Sequence, residues 1–71
     1  NTLNIRAAIE DSKNAIAVHL DKESFSQQDV EEIQTDDEKL SRQLFMIKRV
    51  FSFGYDSVDA LIKEFDRDLR R

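Results

Sequence analysis

Cysteine, proline and tryptophan are absent from this 71-residue chain, and glycine and histidine each occur once. Without cysteine there can be no disulfide framework, thiolate metal site or thiol nucleophile, and an intracellular, cytoplasmic setting is expected. With one glycine and no proline, the chain has too few residues suited to the tight turns of a small all-β domain, so helices are expected. A single glycine also excludes a glycine-rich phosphate loop. A single histidine excludes an imidazole pair for zinc. No apolar run approaches the roughly 20 residues that cross a bilayer, and the amino terminus shows no signal-peptide pattern, so no membrane contact is expected.

What is present is a balance of 39% hydrophobic and 37% charged residues, apolar enough to fold. Fifteen acidic against 11 basic side chains give a formal net charge of -4. The length suits one domain, close to the lower limit for a core without disulfides or metal. Residues 1–71 are therefore expected to form a single all-α domain. A chain that begins with Asn1 rather than Met is expected to be part of a longer protein.

Hydrophobic spacing divides the chain into helices. Ile5, Ile9, Ile16 and Leu20 fall on one face of a helix over residues 3–22, with Ala8, Ser12 and Ala15 as small residues on the same side, where another helix can approach closely. Ser26 with Asp29 is a loose capping box for a short helix over 27–34, with Phe25 placed to staple onto Val30. Thr35 to Glu38 is a fuller box that opens a helix running to Phe53, where Gly54 supplies the left-handed cap. Asp56 is the expected cap of a last helix with the stripe Val58, Leu61, Ile62, Phe65 and Leu69. The pairs Asp59–Lys63 and Asp66–Arg70 are spaced for ion pairs within that helix.

The third helix has more large apolar residues than one face can hold. Leu40, Leu44, Ile47 and Phe51 form its main stripe. Met46, Val50 and Phe53 form a second one roughly 120° away, with Phe45 apart from both. A four-helix core is satisfied by the first stripe, so Phe45, Met46, Val50 and Phe53 are expected to be partly exposed and to form a protein interface. A homodimer through this helix is the expected outcome, because a short chain gains from burying a second stripe symmetrically.

Charge is segregated along the chain. Residues 21–38 hold eight acidic side chains against Lys22 alone, and residues 39–55 hold Lys39, Arg42, Lys48 and Arg49 with no acid. Helix macrodipoles favour acids at helix starts and bases at helix ends, and that accounts for much of the pattern. A nucleic-acid partner is the alternative, with Lys39, Arg42, Lys48 and Arg49, joined by Arg70 and Arg71, facing phosphates. Against it, the first turn of the third helix is Asp36, Asp37 and Glu38, which repels a DNA backbone. A third alternative is an inhibitor whose acidic residues 21–38 cover a basic active site.

No constellation for catalysis emerges. His19 is flanked on its helical face by Ser12, Ala15 and Ile16 rather than acids, the serines sit mostly where caps and loops explain them, and the paired carboxylates Asp36–Asp37 and Glu31–Glu32 are adjacent and so diverge around a helix. No catalytic residue, cofactor or metal is expected.

The stretch LFMIKRVFSFGYDSVDALI, residues 44–62, resembles the helix pair that follows the wing in MerR-type transcription regulators, where an aliphatic helix ends in a Gly-aromatic turn. Less than a third of the chain is covered. The basic helix-turn-helix and Arg-rich wing of such regulators have no counterpart in residues 1–35, so the resemblance does not bring DNA binding with it. The Gly54-Tyr55 turn is also similar to the Gly-aromatic loop of ubiquitin-associated domains, whose third helix would lie beyond Arg71. Both resemblances rest on a short helix corner. The residues themselves point to a non-enzymatic, acidic interaction or oligomerisation module of a regulatory or assembly protein.

Overall fold

In the computed structural model, which describes residues 2–70 and the side chains of residues 3–70, the elements in chain order are α1 (Thr2–Leu20), α2 (Gln27–Glu31), α3 (Glu38–Ser52) and α4 (Val58–Leu69). There is no strand among the described residues, and the fold is the expected all-α bundle of three main helices and one short one. Asn1 and Arg71 lie outside the described residues.

The helix ends follow local chemistry. At the end of α1, Lys22 N–H donates to the Ala17 carbonyl at 3.0 Å and Asp21 N–H to Val18 at 3.2 Å. That is a Schellman closure. Its left-handed position is filled by Asp21, at φ 56°, one of the few non-glycine types that tolerate this region. Ser26 and Asp29 form the expected reciprocal box at the start of α2. Helix α2 stops at Glu31, three residues earlier than expected from the spacing, because Ile33 N–H turns back to the Val30 carbonyl at 3.2 Å. Val30 is fully buried and anchors this single turn.

Two caps differ from expectation. Helix α3 is capped by Asp37, whose carboxylate accepts from the N–H groups of Lys39 at 2.9 Å and Leu40 at 3.3 Å. Thr35 instead accepts from Asp37 N–H at 3.0 Å. A carboxylate holding two backbone donors beats a hydroxyl two residues upstream. Likewise Ser57, not Asp56, caps α4 by accepting from Ala60 N–H at 3.2 Å. Gly54 follows α3 at φ 97°, as its cap role requires.

The core is Ile9, Ile16, Val30, Leu44, Ile47, Val50, Phe51 and Val58, with Ser12 the buried polar residue. Ser12 Oγ lies 3.6 Å from Met46 Sδ, so the small-residue patch on α1 admits a side chain of α3. Helices α1 and α4 run antiparallel, as their ion pairs show: Lys13 meets Asp59, and Arg6, seven residues earlier, meets Asp66, seven residues later. These cross-helix bridges replace the expected pairs within α4. Arg6 places Nε 2.7 Å and Nη2 3.3 Å from the two oxygens of Asp66, a two-pronged charge-assisted contact. Asp66 is held below the ordinary carboxylate value by that hydrogen bond to Arg6, and the Arg6 guanidinium is raised in turn.

Three positions differ from expectation. Ile5 and Leu69 are exposed, since each sits near a free helix end that no neighbour covers. Val50 goes the other way. It was expected at the surface, but it is only 3% exposed, because α1 and α4 both pack on α3 and together enclose part of the second stripe.

Candidate protein-interaction site

Along the side of α3 that borders α1 and α4, Arg42, Phe45, Met46, Arg49, Val50 and Phe53 repeat at helical spacing. All six border one groove of about 620 Å³. Its remaining walls are Ile5 and Ile9 of α1, Leu61 and Phe65 of α4, and Tyr55 of the turn after Gly54. The four residues expected to form an interface, Phe45, Met46, Val50 and Phe53, are therefore brought together. They do not play equal parts.

Val50 and Ile9 are buried beneath the groove, and Met46 is half-buried with its sulfur on Ser12. Phe45 and Phe53 are the outward pair, 64% and 71% exposed. Ile5, 53% exposed, adds a third apolar group at the mouth. The spacing of α1 assigned Ile5 to the core, and the α4 stripe gave no sign that Leu61 and Phe65 would wall a groove. Periodicity shows that a face is apolar but not which neighbour stops short of covering it.

Polar groups fix the rim. Tyr55 donates its hydroxyl to Glu64 at 2.6 Å, which ties the turn to α4 and raises the phenol above its ordinary value. Arg49 has its guanidinium carbon 5.9 Å from the Phe45 ring centroid, at the outer limit of a cation–π contact. Arg42 reaches Glu38 at 3.6 Å in a pair that is almost wholly solvated, so it is held weakly. No acidic side chain among the described residues lines the groove.

Of the four bases proposed to meet nucleic acid, Lys39, Arg42 and Arg49 lie within roughly 80° of one another on α3, with Lys48 about 100° from Arg49. Arg42 and Arg49 stand on the groove, whereas Lys48 lines a shallower depression with Ile33, Gln34, Thr35 and Asp36. Lys39 is exposed and borders neither. The acids of residues 21–38 also divide by role. Asp29 and Asp37 serve helix starts, and Asp29 is held below its ordinary value mainly by the Ser26 backbone N–H. Asp21 closes α1, and Glu23, Glu31, Glu32, Asp36 and Glu38 are exposed. His19 lies exposed in the last turn of α1. Among the described residues no group of three His, Asp or Glu side chains is placed to hold a metal ion, and no helix is long and apolar enough to cross a membrane.

No family model, curated protein or solved structure matches this chain.

Proposed function

We propose that the chain is a non-enzymatic interaction module of a regulatory or assembly protein, and that its working surface is the groove between α1, α3 and α4. The observation that carries this is the pair Phe45 and Phe53, two aromatic rings left mostly in water on either side of an apolar floor. Fully burying such a ring is worth roughly 1.5 to 3 kcal/mol, and the larger part of that is left for a partner's apolar face to recover. The groove offers i, i+4 and i+8 neighbours on α3 flanked by a second helix, which is the shape taken by surfaces that accept an amphipathic helix. That helix can belong to another protein or to a second copy of this chain, and self-association through α3 is part of the same reading.

The test has two arms. Equilibrium sedimentation at micromolar concentration measures self-association. In parallel, an unbiased library of displayed helical peptides is selected on the immobilised protein, and selected peptides are mapped by methyl chemical shifts. Perturbation confined to Ile5, Ile9, Met46 and Leu61, lost in the double variant Phe45→Ser/Phe53→Ser, is the expected result. A strictly monomeric protein from which no peptide is selected would remove the proposal.

A further inference from the structure

We infer that the occupant of the groove is an acidic amphipathic helix from a different polypeptide, its apolar face on Ile5, Met46 and Phe53 and its carboxylates on Arg42 and Arg49. This rests on the groove being a binding surface, and it adds the chemistry of the partner. In a chain of net charge -4, the groove is bordered, among the described residues, by two guanidinium groups and by no acid. Arg42 and Arg49 are seven residues apart on α3, about two helical turns or 10 Å. A ligand helix lying along α3 therefore meets both with Asp or Glu two turns apart, i and i+7, beside an apolar i, i+3, i+4 face. Both arginines are free to respond: one holds a solvated Glu38 and the other lies over a ring.

The same two charges disfavour the alternatives. A two-fold pairing of α3 with its own copy around the centre of the groove brings Arg49 close to the partner's equivalent arginine, between two chains that each carry -4, and like charges set close together oppose association. A single-stranded nucleic acid needs flat stacking platforms and a track of cations. Phe45, Phe53 and Tyr55 offer rings, but among the described residues two cations border the groove, too few to track a backbone.

The experiment uses the full chain and two labelled synthetic helices with one shared apolar face. One carries Glu at the flanking i and i+7 positions and the other carries Lys. The acidic helix is expected to bind about tenfold more tightly at low salt, an advantage that shrinks as salt screens the rim. The double variant Arg42→Glu/Arg49→Glu is expected to reverse the preference while retaining the helical circular dichroism of the parent, since both side chains are exposed. Equal affinity for the two helices refutes the acidic partner and leaves the groove as a binding surface. Failure of both helices together with a dimer that Phe53→Ser dissociates reassigns the groove to a second copy. Failure of both with a strict monomer refutes the groove itself. Binding of an oligodeoxythymidine in preference to either helix refutes a polypeptide partner.

Discussion

At the scale of single residues, the backbone positions that close the two long helices carry opposite expectations. Asp21 holds φ 56° and Gly54 holds φ 97°. A left-handed backbone costs a side-chain-bearing residue about 1 to 2 kcal/mol, offset in part by the greater freedom glycine has when unfolded. Asp21→Gly is therefore expected to stabilise the fold by about 0.5 to 1 kcal/mol, helped by removal of a negative charge from a helix carboxyl end. Gly54→Ala is expected to cost about 1 kcal/mol. That cost is backbone strain alone, since a Cβ at Gly54 would touch nothing within 4 Å. Urea midpoints of the two variants check both signs. The Gly54 turn was legible from its sequence; the Asp21 turn was not, because aspartate marks helix starts far more often than ends.

Asp66 supplies a pH-dependent expectation at the same scale. Its folded pKa is depressed by Arg6, so the stabilisation is fully present above its unfolded value of about 3.9 and is lost as pH falls through the lower folded value. Asp66→Asn should be less stable than the parent at neutral pH, and the gap should close below about pH 4. Denaturation curves at neutral pH and near pH 2 measure it; a gap that persists in acid would mean that the substitution acts through packing.

At the scale of elements, α3 serves both the core and the groove, and truncation separates the two. Ile47 is fully buried, so Ile47→Ala should cost roughly 2 to 5 kcal/mol. Phe45→Ala and Phe53→Ala remove rings that stand mostly in water and should change fold stability by no more than about 0.5 kcal/mol. Chemical denaturation of the three variants gives the comparison, and a loss at Phe53 as large as at Ile47 would show that the ring supports the fold. The main stripe of α3 was readable from spacing alone. The division of its second stripe was not: Val50 is buried where α1 and α4 pack on α3, while Phe53, one turn on, stays mostly in water. Ion pairing shows the same limit. Spacing identified Asp59 and Asp66 as paired acids, and packing chose Lys13 and Arg6 as their partners.

At the scale of the whole molecule, charge layout argues against duplex DNA as the partner. Of the four candidate bases, Lys39, Arg42 and Arg49 lie within roughly 80° of one another on α3, and Lys48 stands about 100° from Arg49. A footprint of three neutralised phosphates gives a log–log salt slope of about -3, too small for useful affinity at physiological ionic strength in a chain of net charge -4. The chain is expected to show no duplex binding there by fluorescence anisotropy. A complex with a slope of about -4 or steeper would mean that Lys48 joins the footprint, and would favour the nucleic-acid alternative.

The all-α class, the Ser26–Asp29 box, the Gly54 turn and most of the core followed from the sequence by itself, because caps act over three or four residues and apolar periodicity acts within one helix. Tertiary structure decided the groove, the burial of Val50, the exposure of Ile5 and the partners of Asp59 and Asp66. Each of these depends on where one helix ends relative to another, and on the angle at which α1 and α4 cross α3. Those quantities are set by the packing of side chains distant in sequence, and the period of no single helix contains them.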